Sequence, residues 1–234
     1  MKDASMLVVH HLNNSRSQRV LWLLEELGVP YKIQHHQRDA KTMLAPKDLL
    51  AVHPLGKSPV VVDGDTTVAE TGAIVEYILD QYGQGRLRPE AGTPEHLRYR
   101  YWLHFAEGSA MPPLLIALIF DHVARAPMPF FVRPVARAIA EKALNATARP
   151  KVRHQLDFME AELARGPWFA GDEFSAADVM MSFPLEAASQ RAGLDASRPR
   201  LMDFLARIHA RPAYRRALKR GGPYAYAEPA RPAG

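Results

Sequence analysis

Residues 60–78 constrain the fold of this chain more than any other stretch. The β-branched residues 60–62 are followed by the turn signal Asp63-Gly64-Asp65 and then by further β-branched residues, 66–68. This pattern predicts two short strands joined by a tight turn. Apolar residues then recur at helical spacing as far as Ile78, which predicts a helix directly after the second strand. The sequence therefore predicts a strand–strand–helix unit.

The junction between the second strand and the helix carries Glu70, Thr71 and Gly72. The first backbone N–H groups of a helix have no partner within the helix, and the helix dipole favours negative charge at that end. These groups would suit a carboxylate, and Glu70 would suit a cationic amine. Two interpretations stay open at this point: a site for an α-amino acid group, or a plain helix start that Thr71 caps and Glu70 precedes.

The segment Pro54–Pro59 leads directly into the first strand of this unit. Proline is compatible with the first position of a strand because it has no N–H group to lose from the ladder. We predict that Pro59 follows a cis peptide bond, which would turn the backbone of Ser58 outward. That backbone could then pair with an extended, peptide-like ligand. A peptide-binding edge thus lies close in sequence to an amino-acid-binding helix start.

With these motifs the sequence resembles the cytosolic glutathione S-transferase family. The segments 56–60 (GKSPV) and 70–74 (ETGAI) are similar to the family's glutathione-binding half, and glutathione is a peptide with an α-amino acid end. The segments 14–28 and 106–113 look closest to the bacterial and fungal group with a long break between the first two C-terminal helices. The resemblance extends from residue 6 to about residue 220.

The order of predicted elements agrees with the fold that the resemblance implies. A β-α-β pattern over residues 6–36 precedes a short irregular helix near residues 46–52 and the strand–strand–helix unit. We therefore expect an α/β, thioredoxin-like N-terminal domain followed by an all-α C-terminal domain. The predicted divisions are a glutathione-binding domain over residues 1–83, a Gly- and Pro-containing linker over 84–94, a helical domain over 95–220 and a flexible tail over 221–234.

Two signals within the helical part predict local structure. The pair Pro112-Pro113 is expected to kink or break the long helix of residues 95–120. Ser175 is followed three residues later by Asp178, which is a capping box, and Phe174 can act as the hydrophobic staple. The box is similar to one found in the family at this position, so we interpret Asp178 as a structural residue.

Composition limits the chemistry available to the chain. It contains no cysteine, so disulfides and thiolate metal ligands are excluded, and any thiol must come from a ligand. Its net charge is +5, but Lys and Arg are spread among Asp and Glu, so a nucleic-acid partner is not expected. No metal site is expected from His10 and His11, because neighbouring strand residues point to opposite faces. We find neither a signal peptide nor an apolar run of about 18 residues, and therefore predict a cytoplasmic protein without a membrane partner.

The resemblance implies that the thiol of bound glutathione is activated just after the first strand. A hydrogen-bond donor aimed at the sulfur, together with the positive end of the first helix, would stabilise the thiolate. Family members use Tyr, Ser or Cys there; this chain offers no Tyr before Tyr31, and the family's serine falls on Asn14. We predict Ser15 as the donor, with the Asn14 amide or a backbone N–H as alternatives. Ser15 or Ser17 could instead only cap the helix.

The function implied by the resemblance is that of a glutathione transferase acting in detoxification. Glutathione would be the cosubstrate, its thiolate would attack a small, electrophilic, apolar substrate, and glutathione-dependent peroxide or disulfide reduction could use the same site. A homodimer is also implied. The alternative is a non-catalytic glutathione- or ligand-binding protein with the same fold.

The side chains expected at the site form two groups, one toward glutathione and one toward the second substrate. Those predicted to bind glutathione are Arg16, Lys57, Ser58, Pro59, Glu70 and Thr71. Those predicted to line the second substrate's pocket are His104, Glu107 and Met111, with a surface pair plus a core residue as the alternative.

Overall fold

The computed structural model describes residues 6–39, 42 and 44–227. Within these residues the N-terminal part consists of β1 (Leu7–Leu12), α1 (Ser17–Leu27), β2 (Tyr31–His36), α2 (Leu49–Val52), β3 (Val60–Asp63), β4 (Thr66–Ala69) and α3 (Thr71–Tyr82). The strands form one sheet in the order β2-β1-β3-β4, with β1 parallel to β2 and antiparallel to β3. The predicted thioredoxin-like arrangement is confirmed.

Local sequence signals explain the first helix and the hairpin. The apolar face of α1, which includes Val20, Leu23 and Leu27, is buried against the sheet and the helical part. The helix ends at Gly28, whose positive φ of 68° suits glycine. The β3–β4 hairpin turns at Gly64, with φ of 59°, as the turn signal predicted.

The described residues of the C-terminal part form helices joined by turns and loops, with no strand among them. Its helices are α4 (Pro94–Phe105), α5 (Met111–Arg125), α6 (Arg133–Ala143), α7 (Arg149–Glu162), α8 (Ala176–Arg191), α9 (Pro199–Ala210) and α10 (Pro212–Gly221). Two π-helical turns join α4 to α5 and α6 to α7; they span Ala106–Ala110 and Leu144–Ala148. A continuous core connects both parts of the chain through α1, α4 and α8.

The Pro112-Pro113 pair does not interrupt the helix, which runs on from Pro94 to Arg125. Proline has no N–H, so the backbone bonds expected from these two residues to the preceding turn cannot form. The π-helical turn lies where those bonds are missing. By length and composition alone this 32-residue helix could cross a membrane, although the sequence has no uninterrupted apolar run of about 18 residues. A third of its most apolar window is buried within the structure.

The start of α8 has the predicted capping box. Asp178 accepts hydrogen bonds from the N–H groups of Ser175 at 2.8 Å and Phe169 at 2.9 Å, and the Ser175 hydroxyl accepts from Ala177 N–H. Complete burial raises the pKa of Asp178 to about 6, although these hydrogen bonds act to lower it. The structural interpretation of Asp178 is confirmed.

Residues 222–227, which we name the C-terminal strap, differ from the predicted flexible tail. Tyr224 is buried, and its hydroxyl donates to Glu186 at 2.6 Å. Burial of the tyrosine ring and this charge-assisted hydrogen bond outweigh the Gly, Pro and Ala composition of the segment. Residues 228–234 of the predicted tail and residues 1–5 of the predicted first domain lie outside the described residues.

Candidate active site

Three chain segments meet at one edge of the sheet. His10 pairs with Val60 across β1 and β3, and Val60 pairs with Ala69 across β3 and β4. The end of β1, the start of β3 and the end of β4 are therefore neighbours. The segments that continue from them hold the predicted site residues: the first turn (residues 13–16), the loop at 57–59 and the start of α3 at 70–71.

The loop before β3 is held against β1 by the side chain of Ser58. Its hydroxyl donates to the His10 carbonyl at 2.8 Å and accepts from Leu12 N–H at 3.2 Å. The peptide bond between Ser58 and Pro59 is cis, as predicted, and Pro59 is buried. Lys57 is exposed and makes no ion pair with any described residue. The backbone of Ser58 thus lies beside the first turn.

The start of α3 leaves the Glu70 side chain and its first backbone N–H groups available to a ligand. Glu70 is the capping residue, is exposed, and has φ of 69° and ψ of 125°, an uncommon conformation for a non-glycine residue. No side chain caps the helix, so the simple capping role considered for Thr71 is not seen. The first backbone bond into the helix runs from Ile74 N–H to Glu70 C=O at 2.9 Å. The N–H groups at positions 71–73 therefore stay available to a ligand.

Ser15 belongs to a buried chain of hydrogen bonds. Its hydroxyl lies 2.8 Å from that of Ser17, which lies 2.8 Å from Nδ1 of His11. Ser15 also accepts the N–H of Ser17 at 3.2 Å. All three side chains are at least 95% buried. Ser15 and Ser17 therefore tie the first turn to β1.

The protonation of His11 sets the direction of this chain. Burial, followed by the neighbouring His35, lowers the pKa of His11 to about 4, so the ring is neutral and carries one N–H near pH 7. The Gly221 backbone lies beside the ring and raises the pKa of His11 in turn, so it suits that N–H. Nδ1 must then accept from Ser17, and Ser15 must donate to Ser17. The hydroxyl proton of Ser15 is therefore already engaged.

Asn14 is oriented by the C-terminal strap. Its φ of 50° lies in the left-handed region, which Asn tolerates better than most residues. Its Oδ1 accepts the backbone N–H of Ala225 at 2.8 Å. A backbone N–H can only donate, so the side-chain atom facing Ala225 is the oxygen. The Nδ2 group therefore faces away from Ala225, and it has no hydrogen-bond acceptor among the described residues.

An ion-pair cluster links the first turn to the π-helical turn of the helical part. Arg16 Nε donates to Glu107 at 2.9 Å, and the fully buried Arg19 donates to the same carboxylate and, at 2.7 Å, to the Met180 carbonyl. Burial alone would raise the pKa of Glu107, but the guanidinium groups of Arg19 and Arg16 hold it below its ordinary value.

Sequence reasoning missed Arg19 as part of the site's frame. Its position, three and four residues before the buried Trp22 and Leu23, places it on the apolar face of α1. A charged residue on that face is a signal of a buried ion pair, because an unpaired charge there would be too costly.

The three residues predicted for the second substrate's pocket separate in the structure. Glu107, in the π-helical turn, contacts the first turn through its ion pair with Arg16. His104 is exposed on α4, and Met111 packs into the core. A π-helical turn lies between His104 and Met111, and it shifts the helical phase relative to an uninterrupted α-helix. Their role toward a second substrate stays a prediction.

The two neighbouring histidines of β1 face opposite sides of the sheet, as predicted. His10 Nδ1 lies 3.0 Å from Nε2 of His36, whose Nδ1 contacts Asp48 at 3.0 Å. His11 contacts Ser17 on the α1 side. The pair is thus divided between the two faces of the sheet.

Comparisons with known proteins agree with this geometry. Residues 4–80 match the family model described as glutathione S-transferase, N-terminal domain, and residues 119–212 match the C-terminal domain model. Glutathione S-transferase 3 of Schizosaccharomyces pombe is 38% identical over 79% of this chain and 75% of its own length. Glutathione S-transferase 1 of Saccharomyces cerevisiae is 36% identical over 80% and 82%. A crystal structure of a glutathione S-transferase from Actinobacillus pleuropneumoniae aligns with a TM-score of 0.78 and 30% identity, covering 95% of this chain and 96% of that one.

Proposed function

The chain belongs to the glutathione S-transferase family, and from this premise we propose that it catalyses attack of the thiolate of bound glutathione on a small, electrophilic, apolar substrate. Glutathione is the cosubstrate. The observation that carries the proposal is the meeting of three segments at one sheet edge, each with an unused polar group suited to part of this peptide. A purely glutathione-binding role is not favoured by the relatives, which are named as transferases.

Glutathione binding is proposed to use one segment for each part of the peptide. The free N–H groups at the start of α3, with Thr71, suit the γ-glutamyl carboxylate, and Glu70 suits its amine. The backbone of Ser58, held beside Pro59, suits the cysteinyl amide. The exposed charges of Lys57 and the half-exposed Arg16 suit the remaining carboxylate.

The thiolate is proposed to receive its hydrogen bond from the Asn14 amide. Support comes from the free Nδ2 group of Asn14 and from the engaged hydroxyl proton of Ser15. Ser15, the donor favoured by the sequence, would have to break its hydrogen bond to Ser17 before it could donate one to the sulfur. Its role in this proposal is to fix the first turn.

The test compares Asn14→Gly with Ser15→Ala, because Gly keeps the left-handed backbone at position 14 without strain. The pKa of bound glutathione is followed by thiolate ultraviolet absorbance. Loss of a hydrogen bond to a charged acceptor costs about 1.5–3 kcal/mol, so Asn14→Gly is expected to raise the thiol pKa by roughly one to two units. Ser15→Ala is expected to shift it less. The reverse order would reject Asn14 as the donor.

Turnover distinguishes the transferase from its alternatives. We expect conjugation of a chloronitrobenzene by the wild-type protein, with slower turnover by Asn14→Gly near neutral pH. Glutathione-dependent reduction of cumene hydroperoxide would show that the protein has peroxidase activity in addition to transferase activity. Glutathione binding without either reaction would instead support the non-catalytic alternative.

Three wider features belong to the same proposal. We propose a homodimer, supported by exposed apolar side chains on the outer faces of α4, α5 and α6. The cytoplasmic location and the role in detoxification rest on the resemblance to cytosolic family members. The division into domains at residues 1–83 and 95–220, with a linker between them, is supported by the irregular connection from α3 to α4.

A further inference from the structure

The C-terminal strap contacts the candidate active site through one backbone group. Ala225 N–H donates to Asn14 Oδ1 at 2.8 Å, while the Ala225 side chain is exposed. The preceding residue, Tyr224, is buried, and Tyr226 packs against Phe183 with ring centroids 5.2 Å apart. The strap thus presents a main-chain donor to the first turn and directs its aromatic side chains toward α8.

We propose that this strap is a positioning element for the reaction, in which Ala225 N–H holds the Asn14 amide with its NH2 group toward the glutathione thiol. The inference rests on the donor role of Asn14 proposed above. A carboxamide has nearly the same shape in either orientation, so packing alone selects weakly between them. The wrong orientation would present an oxygen to the thiolate and disfavour ionisation. A donor at Oδ1 makes the correct orientation the stable one.

The anchor of the strap lies in the core of the helical part. Glu186 on α8 is 1% exposed and accepts hydrogen bonds from Tyr214 and Tyr224, each at 2.6 Å, and from His209 at 3.1 Å. Hydrogen bonds to a buried carboxylate are short and strong. Tyr224 is therefore held firmly, and the adjacent Ala225 N–H is placed by the same anchor.

A second contact from the same chain region supports this role. The backbone of Gly221 lies beside the ring of His11 and suits its single N–H, and the same ring bonds to Ser17 and through it to Ser15. A Cβ at Gly221 would come within 2.8 Å of the Gln18 side-chain oxygen, so the end of α10 packs closely against α1 here. The end of α10 and the strap together fix both first-turn side chains considered as donors.

The direct test removes only the N–H group of Ala225. The bond from Ala227 N–H to the Tyr224 carbonyl, at 3.2 Å, makes Ala225 the second residue of a turn, where proline is favoured. Ala225→Pro therefore keeps the turn and deletes the donor, and Ala225→Ser is the matched control that keeps it. We expect Ala225→Pro to raise the pKa of bound glutathione by roughly one to two units, with glutathione affinity changed by less than about twofold. The control should retain the wild-type thiol pKa.

A double variant shows whether the effect passes through Asn14. We expect Asn14→Gly combined with Ala225→Pro to have the same thiol pKa as Asn14→Gly alone. An unchanged pKa in Ala225→Pro, or a further rise in the double variant, would overturn the inference while leaving the donor role of Asn14 intact. No shift in Asn14→Gly itself would reject the donor role and the positioning role together. Should Ala225→Pro fail to fold, Tyr224→Phe releases the anchor instead and is expected to raise the thiol pKa in the same direction.

Discussion

Two residues of the candidate site have backbone conformations that few L-amino acids adopt readily. Asn14 has φ of 50° and Glu70 has φ of 69°. Asn suits the left-handed region, whereas a glutamate there costs on the order of 1–3 kcal/mol. Such strain persists where the surroundings determine the conformation, and it is concentrated at functional sites. The exposed side chain of Glu70 stabilises nothing else among the described residues, which favours a role toward a ligand.

We predict that Glu70→Gln weakens glutathione binding. Glutamine keeps the size of the side chain but removes the charge opposite the ligand's amine, at a cost of about 1–3 kcal/mol. The dissociation constant measured by calorimetry should rise by roughly 5- to 150-fold. The control is Glu90→Gln, an exposed glutamate of the α3–α4 connection, which should bind as the wild type does. Equal affinities in all three proteins would exclude Glu70 from the site.

At the scale of elements, His11 joins three of them. It lies on β1, contacts Ser17 at the start of α1, and meets the Gly221 backbone at the end of α10. It is almost fully buried and must lose its charge to enter this position. The contact between these elements therefore depends on a neutral ring.

This dependence predicts an acid-sensitive fold. Burial lowers the pKa of His11 from about 6.5 to about 4, so the unfolded chain binds more protons than the folded chain between these values. Stability should rise with pH through this window and be lost as the pH falls. At about 1.4 kcal/mol per pKa unit, the contribution is roughly 3 kcal/mol. Urea unfolding of His11→Asn should show a flatter dependence between pH 6.5 and 4; equal slopes would contradict the prediction.

Elements with local signals were predictable from the sequence, and those set by distant packing were not. The hairpin at Gly64, the end of α1 at Gly28 and the cap at Asp178 each depend on a few neighbouring residues. The strap depends on Glu186, 38 residues before Tyr224, so its Gly-, Pro- and Ala-rich composition gave no sign of its order.

The same contrast holds within the candidate site. Glu70 and Ser58 were recognisable from short motifs. The engagement of Ser15 by Ser17 and His11, and the buried pair of Arg19 with Glu107, required side chains from separate elements to be brought together. Hydrogen-bond direction in particular cannot be read from residue types alone, since a serine can donate or accept.

At the scale of the whole molecule, α1 is the element through which the two parts of the chain are joined. Arg19 near its start binds Glu107, and Glu26 near its end binds Arg211 at 2.6 Å. Residues 20–24 between them are buried. A helix fixed at both ends holds the first turn in a defined position relative to the helical part. The proposed second substrate would contact that helical part.

The outer faces of α4–α6 predict self-association. Leu115 and Ile119 on α5, Ile139 on α6 and Phe131 in the turn before α6 expose about half or more of their surfaces. An apolar face of this kind favours a symmetric dimer. Sedimentation should give twice 26.1 kDa for the wild type at micromolar concentration. Ile119→Arg should shift the population toward the monomer, whereas Met202→Arg on α9 should not. A wild-type monomer would reject the dimer.

The bond between Ala225 and Asn14 also has a consequence for biosynthesis. The two residues are separated by 211 positions, so Asn14 leaves the ribosome long before its partner is translated. We expect the nascent protein to acquire glutathione binding, which needs β3, β4 and α3, before it acquires thiol activation. A product truncated by a protease just ahead of the strap would then bind the cosubstrate but leave its thiol less ionised than the intact protein does. Mass-spectrometric identification of such fragments on a glutathione resin, with their conjugating activity measured beside the intact enzyme, would separate the two stages of maturation.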